Sequence, residues 1–481
     1  MVGFHIENFG CRAARADGEA VSRLLAAGHC MQQLREADVI LVNTCSVTAE
    51  ADREARAFIR RAHRANPAAK IVVTGCYAQR APGELAALEG VSAVIGNSHK
   101  ALAPQIAAGL AQGVVHEAPE TLVSVQALFA GATPVDSSPN WSAPIGSVPI
   151  WADDRFAHSF IEEAQIVPGA QTRPNLKIQE GCGNRCTFCV IPFTRGPSKS
   201  LPHAVVLRQV EGFIAAGGKE LVLSGINLGR WGRDFPGSGR ESLSALVRNI
   251  LTQTALPRLR LSSIEPMDWD SDLIALMAEF GGTRLARHAH LPLQSGADAV
   301  LRRMHRRYRP WHYAQKVEAL LRAAGEDLTL GADVMAGFPG ETDAEFEETL
   351  AFLRALPFGY LHLFPFSPRP GTPGWALHAQ SPVAPEVVDE RMAALRVLAA
   401  EKSRAHRARF LGRALDAITL RPPAVLNAVG LSSALTDNFL PVEVEGRLPA
   451  NRLIRVLVSG FTPEGALQGA LRSNGAETAH S

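Results

Sequence analysis

Gly181-Cys182-Gly183-Asn184-Arg185-Cys186-Thr187-Phe188-Cys189-Val190-Ile191-Pro192 places three cysteines at x3 and x2 spacing. A loop of this size wraps three thiolates around one metal centre. Soft thiolates select iron–sulfur clusters or zinc over hard cations. A zinc site usually takes a fourth Cys or His close by, and none follows within reach in the sequence. Three ligands on a cubane cluster leave one iron open to a small molecule. A structural zinc loop, or three unrelated buried thiols, is the bland alternative. The chain has only 7 cysteines in 481 residues, so three within eight positions argue against coincidence.

The Cys-x3-Cys-x2-Cys spacing, with Phe188 just before the last cysteine, resembles the signature of radical S-adenosylmethionine (SAM) enzymes. The resemblance implies that the open iron binds the amino and carboxylate groups of SAM. It also implies that an electron from the reduced cluster cleaves SAM to a 5′-deoxyadenosyl radical.

Working downstream, strand-like runs occur at Asn175–Gln179, Glu220–Leu223, Leu259–Ser263, His288–Leu293, Leu328–Met335 and Tyr360–Phe366. Helical stretches near Pro202–Ala216, Glu241–Thr252, Ser271–Phe280, Trp311–Ala324 and Asp343–Leu356 separate them, the last opened by a Thr342-x-x-Glu345 capping box. Six βα units predict a partial parallel (β/α)6 barrel over residues 171–400, with its site at the carboxyl ends of the strands. The Cys182 loop follows the first strand and falls at that face. Polar, Gly-rich turns gather there too: Ser224-Gly-Ile-Asn227, Ser262-Ser-Ile-Glu265, Pro292-Leu-Gln294 and Gly337-Phe-Pro-Gly-Glu-Thr342. Each alone marks an ordinary βα turn; together they suggest a cradle for a ligand. By resemblance, Ser224, Asn227, Glu265 and Gln294, with Phe188, are the candidate SAM contacts. His290 reads as a hydrogen-bonded barrel histidine in preference to a ligand-facing base.

Upstream, residues 1–115 alternate strands and helices in the manner of a parallel sheet with crossover helices. Three strands end in Gly10-Cys11, Thr44-Cys45 and Gly75-Cys76. Sites in open α/β sheets form beyond strand carboxyl ends, so the three thiols either converge or serve as small buried hydrophobes. Val42-Asn-Thr-Cys-Ser-Val-Thr48, Thr74-Gly-Cys-Tyr-Ala-Gln79 and Gly10-Cys11 are similar to the three cysteine motifs of the methylthiotransferase branch of the radical SAM enzymes. That resemblance implies a second 4Fe-4S cluster on Cys11, Cys45 and Cys76, involved in sulfur delivery. The run Cys11-Arg-Ala-Ala-Arg15 lacks the Asn usual in the family, while Glu19 keeps the acidic position. Cys30 matches no family ligand and reads as a plain thiol near a helix end. Residues 116–170 lack periodicity, and Ala132–Pro149 reads as linker.

The resemblance extends through Leu176–Cys182, His288–Asp298, Asp333–Thr342 and Phe364–Pro373. Residues 401–471 begin at a basic helix end and continue as short strands, predicting a small antiparallel barrel. Ala434–Val442 resembles the family's TRAM domain, a presumed RNA-binding barrel. Residues 472–481 are polar and expected to be a disordered tail. Arg53, Arg56, Arg60 and Arg64 share a helix face, Arg302–Arg309 holds five arginines, and Lys402–Arg413 carries no acid. Each is either a solvated face or a phosphate-binding surface.

A hydrophobic content of 46%, charged content of 20% and net charge of +2 describe an ordinary globular chain. With no signal peptide and no apolar run long enough to span a bilayer, a cytoplasmic protein is expected, its thiols reduced and free to hold metal. In the blocks around Cys45, Cys76 and Asn97 and in Leu176–Cys182, the resemblance is strongest to methylthiotransferases acting at C2 of N6-threonylcarbamoyladenosine in tRNA. It implies two 4Fe-4S clusters, SAM, the tRNA anticodon stem-loop as substrate, a flavodoxin or ferredoxin as reductant, and a monomer. The alternatives are family members acting on isopentenyl-adenosine or on a ribosomal-protein aspartate, and a non-catalytic RNA-binding iron–sulfur protein.

Overall fold

A computed structural model describes residues 1–114, 148–160, 166, 168, 172–237 and 241–472. Most of the expected linker and all but the first residue of the expected tail lie outside the described residues.

The first unit is a parallel sheet built from β1 (Gly3–Asn8), β2 (Cys30–Met31), β3 (Val39–Thr44), β4 (Lys70–Gly75), β5 (Val91–Gly96) and β6 (Ile150–Trp151). Their order is β2-β1-β3-β4-β5-β6. β3 and β4 are runs of Val, Ile and Leu because helices cover both faces of the sheet. One face packs Phe58, Ile59 and Tyr77, and the other packs Val21, Leu25 and Ile106. The first helix begins at Arg12, directly after Cys11, and runs to Ala26. Gly18 in its middle obscures it in the sequence. A Cβ there would lie 1.6 Å from Asn8 Oδ1, so glycine lets the helix approach β1 closely. β6 falls within residues 116–170, the stretch without periodicity; two residues are too few for periodicity to reveal. Cys30 begins β2 and is exposed.

The central unit has the six expected strands in chain order and one the sequence did not suggest, β8: β7 (Asn175–Glu180), β8 (Lys199–Ser200), β9 (Glu220–Gly225), β10 (Arg258–Leu261), β11 (His288–His290), β12 (Thr329–Ala336) and β13 (Phe358–Pro365). β8 is a short antiparallel addition to the edge of β7. The other six are parallel. β10 and β11 are joined by Ala286 N–H to Leu259 O (2.9 Å) and Ile264 N–H to His290 O (3.0 Å). This is an open (β/α)6 barrel. Its outer face and its helices share one core, including Val206, Phe213, Leu246, Leu276 and Leu353. The Thr342/Glu345 capping box is present.

The third unit is a closed barrel of β14 (Ala414–Leu420), β15 (Leu431–Thr436), β16 (Pro441–Glu445), β17 (Leu453–Phe461) and β18 (Leu467–Leu471). The sequence suggested a small antiparallel barrel of short strands. The structure has five, and β16 pairs with β18 in parallel. Its turn after β15 closes the amino end of the larger barrel. Phe439 stacks on His288 with centroids 4.3 Å apart, Arg260 Nη2 donates to Thr436 O (3.0 Å), and Arg287 Nε donates to Asp437 Oδ2 (2.7 Å). Thus the Ala434–Val442 block makes an interdomain contact.

The sheet domain meets the large barrel through a buried ion cluster. Asp17 and Lys100 come from the sheet domain; Lys177 and Glu180 lie on β7, and Arg195 follows the cysteine loop. Lys100 Nζ donates to Asp17 Oδ2 (3.0 Å) and Glu180 Oε2 (2.5 Å). Arg195 Nη1 donates to Asp17 Oδ2 (3.0 Å) and Glu180 Oε1 (2.7 Å), and Lys177 pairs with both acids. A second junction sets Asp52 between Arg80 (2.9 Å) and Arg369 (2.6 Å). Removing one member of a buried pair strands its partner and costs about 3–5 kcal/mol.

Burial alone would push Asp17 and Glu180 up, but Lys100, Lys177 and Arg195 outweigh it and hold both below their ordinary 3.8 and 4.5. A depressed carboxylate stabilises the fold above its unfolded pKa and loses that contribution as pH falls through the folded value. Asp17→Asn is therefore expected to lower stability by about 3 kcal/mol at neutral pH. Its deficit relative to wild type should shrink as pH drops below about 4. Urea unfolding at pH 7 and in the acid range checks both; equal stability of the two proteins at pH 7 would refute the role given to the cluster.

Candidate functional site

The Cys182 loop leaves β7 at its carboxyl end, as expected. Gln179 fixes the exit. Its Nε2 donates to Gly181 O (2.8 Å) and Ser198 Oγ (2.9 Å), while its Oε1 accepts from Asn227 N–H (2.6 Å). One buried side chain thereby joins the start of the loop to the turn after β9. Further along, Thr187 clamps the loop to the barrel rim. Its Oγ1 donates to Arg303 O (2.9 Å), its N–H donates to Met304 O (3.2 Å), and its carbonyl accepts from Gly374 N–H (2.7 Å). Phe188 is half-buried against the core.

Burial pushes the Cys189 thiol up to about 12, with Cys186 adding to the effect, and burial raises Cys182 as well. Donors already point at these sulfurs. Asn227 Nδ2 lies 3.6 Å from Cys182 Sγ, and Arg306 Nη1 lies 3.3 Å from Cys186 Sγ. Arg306 also grips Glu265 with Nη2 at 2.7 and 2.5 Å from the two carboxylate oxygens. Its Nε contacts Tyr308 OH (3.1 Å), which donates to Pro292 O and Leu293 O, both at 2.7 Å. The loop and the ends of β10 and β11 thus form one network. Gln294 follows in a left-handed conformation (φ 67°), its N–H bonded to Asp333 O (2.7 Å).

At the same face, Ser224 Oγ, Asn227 Oδ1, Ser262 Oγ and Ser263 Oγ are buried with no partner of their own. Buried polar atoms normally have partners. Four without one, at two adjacent strand ends beside three thiols, fit a polar ligand held against a thiolate-bound cluster. The structure therefore gathers Cys182, Cys186, Cys189, Ser224, Asn227, Glu265 and Gln294 on one face. His290 is a barrel histidine, bonded to Asp333 (3.1 Å) and Tyr360 (2.9 Å).

The strand-end cysteines also converge. Gly10 takes φ +101°, and a Cβ on it would lie 2.6 Å from Cys45 Sγ, so only glycine turns the chain there. Cys45 and Cys76 are buried; Cys11 is exposed. Burial first, then the proximity of Cys76 and Cys11, pushes the Cys45 thiol up to about 12. Cys76 Sγ receives two donors, Asn97 Nδ2 and Arg195 Nε, each at 3.3 Å. Such N–H···S contacts suit a thiolate-bound cluster.

Arg195, Asn97, Asp17, Lys100 and Arg306 escaped the sequence reading as site residues. Arg306 was visible only as one member of a basic run. Within that run Arg303 pairs with Glu345 (2.7 Å) and Arg309 with Asp298 (3.3 Å), so it is largely an internal ion network. The available signal for the seam was Lys177 and Glu180, two charges in a strand that is otherwise buried.

Two family profiles match the chain: "Uncharacterized protein family UPF0004" over residues 3–96 and "Radical SAM superfamily" over residues 176–353. The threonylcarbamoyladenosine tRNA methylthiotransferase MtaB of Bacillus subtilis strain 168 is 32% identical, covering 92% of this chain and 90% of that protein. A tRNA-2-methylthio-N(6)-dimethylallyladenosine synthase of Cereibacter sphaeroides is also 32% identical, covering 95% of this chain and 96% of that protein. Among solved structures, the radical S-adenosylmethionine methyltransferase TsrM from Kitasatospora setae matches in fold. Its TM-score is 0.53 at 15% identity, covering 79% of this chain and 74% of that one. With an identity of 32% over nearly its full length, and with both family profiles falling on the two cysteine-bearing units, the chain belongs to the radical S-adenosylmethionine methylthiotransferase family.

Proposed function

We propose that the protein adds a methylthio group to C2 of N6-threonylcarbamoyladenosine beside the anticodon of tRNA. The observation that carries this reading is the convergence of Cys11, Cys45 and Cys76 against the domain that holds the Cys182 loop. Arg195, six residues beyond Cys189, reaches across to Cys76 Sγ. In this reading Cys182, Cys186 and Cys189 hold one 4Fe-4S cluster with an open iron, and Cys11, Cys45 and Cys76 hold a second. When bound, the cluster and SAM supply a radical able to remove the unreactive C2 hydrogen, which no side chain can do by acid–base chemistry.

The chain's own residues bind, orient and shield. Ser224, Asn227, Glu265 and Gln294 line the SAM cradle, with Phe188 packed behind the loop. Glu265 is presented by Arg306, so its carboxylate is held in one orientation. Asn227 and Arg306 donate to sulfurs of the first trio, Asn97 and Arg195 to Cys76 of the second. The buried ion cluster closes the seam beside Cys76.

The MtaB-named relatives support threonylcarbamoyladenosine as the substrate. The equal identity of the Cereibacter enzyme favours dimethylallyladenosine as a second reading. Flavodoxin or ferredoxin as reductant, a monomeric state and a cytoplasmic location belong to the proposal. Among the described residues no helix is long and apolar enough to cross a membrane.

About eight irons per chain are expected after anaerobic reconstitution, falling to about four on replacing any one trio. The two trios separate by product. Cys186→Ala should abolish 5′-deoxyadenosine formation, whereas Cys45→Ala should keep it, at reduced rate, while losing all methylthiolated nucleoside. Chromatography of the reaction products reads both; methylthiolation by Cys45→Ala at the wild-type level would remove the second cluster from the reading. In cells lacking the gene, mass spectrometry of tRNA nucleosides should show loss of 2-methylthio-N6-threonylcarbamoyladenosine, with the dimethylallyl product retained. The opposite pattern would establish the second reading in its place.

A further inference from the structure

A cavity of about 360 Å³ opens beside Cys11, between the helix Arg12–Ala26 and the first strands of the large barrel; Arg12, Arg15, Arg173 and Asn175 line it. Its lining holds three guanidinium groups and no carboxylate. Arg173 has only a distant share of Glu220 (3.4 Å), which is also engaged by Arg260 (2.8 Å) and Arg258 (3.3 Å). One carboxylate therefore serves three arginines. Among the described residues the guanidinium groups of Arg12 and Arg15 form no hydrogen bond or ion pair. Glu19, one turn beyond Arg15, forms its ion pair with Arg23 (3.6 Å) and attracts Arg15 only at longer range. Arg12 and Arg15 are exposed, and Arg12 lies 5.8 Å from the Phe439 ring. Burial, with Arg260 nearby, lowers the pKa of Arg12 from 12.5 although Tyr360 and Asp333 work against it, and burial, with Arg260 and Arg12 nearby, lowers that of Arg173 although Glu220 works against it.

Cations gathered around a cavity without their own anions are stabilised by an anionic ligand. Arginine forks match a carboxylate in particular, through paired N–H donors. A cavity of this size falls in the range of small-molecule sites. The two nucleosides considered above differ in this chemistry: the threonylcarbamoyl substituent ends in a carboxylate, and the dimethylallyl group is a hydrocarbon. We propose that Arg12 and Arg15, backed by Arg173, bind the threonyl carboxylate of the substrate nucleoside and so select it over an apolar N6 substituent. This rests on the reading of the protein as a threonylcarbamoyladenosine methylthiotransferase. It assigns a role to the two arginines of the Cys11-Arg-Ala-Ala-Arg15 run. A tRNA phosphate offers the same anionic chemistry, and the test separates the two sources.

The test measures binding of reconstituted holoenzyme to three anticodon stem-loops that carry threonylcarbamoyladenosine, dimethylallyladenosine or plain adenosine at the target position. Wild type is expected to bind the first about tenfold or more tightly than the other two, the factor given by a charge-assisted hydrogen-bond pair. Arg12→Gln and Arg15→Gln should reduce that ratio to about one without weakening the plain loop. Equal weakening of all three loops would assign the arginines to phosphate and overturn the proposal, as would a preserved preference. Iron per chain is measured on each variant. Arg15 lies a full turn from Cys11, so Arg15→Gln carries the test if Arg12→Gln loses iron. Methylthiolation of the first loop by wild type is assayed in parallel. Its absence would refute the underlying functional reading, whereas its presence with an unchanged preference in the variants would refute the carboxylate site alone.

Discussion

Five buried charges hold the two cysteine-bearing units in register. Asp17 and Glu180 each face three cations, and the cations outnumber the acids. Such a cluster is tolerated in a low-dielectric interior only when every member keeps its partners, so it tolerates little sliding between the domains. Arg195 gives this rigidity chemical meaning. The same guanidinium that satisfies Asp17 and Glu180 through Nη1 donates through Nε to Cys76 Sγ. The position of a sulfur in the sheet domain is thereby tied to a residue of the barrel.

Arg306 repeats the device at the other cysteine trio. It links Cys186 to Glu265 and, through Tyr308, to the end of β11. In both places a buried arginine spans a thiol and a carboxylate. Hydrogen bonds to cluster sulfurs and the local burial of charge are general levers on the properties of bound clusters. The two trios also differ in environment. Cys45 and Cys76 are buried while Cys11 opens on the arginine-lined cavity, so the second trio has one side facing that cavity.

Much of the fold was legible. Strand and helix boundaries in the barrel agree with the periodicity to within a few residues, because each βα unit carries its own apolar face and its own turn residues. The failures have local causes. Gly18 masked the first helix, whose close approach to Asn8 requires it. β6 was too short to show a pattern, and the parallel pairing of β16 with β18 depends on how the small barrel closes. Ala434–Val442 carried a family resemblance, but its packing against Arg260, Arg287 and His288 is invisible without those partners.

The sequence by itself determined the Cys182 loop, since three ligands within eight residues are a short-range fact, and it placed that loop at a strand's carboxyl end. It also marked Cys11, Cys45 and Cys76 as strand-end thiols and left open whether they meet. Tertiary structure alone decided that they do, and which charges serve them. Arg195 and Asp17 are 178 positions apart, and Arg306 and Cys186 are 120 apart. A charge reads the same in sequence whether it faces water, phosphate or a buried acid. Its role depends on which group the fold sets within about 3 Å of it, because ionic and hydrogen-bond energies fall steeply beyond that distance.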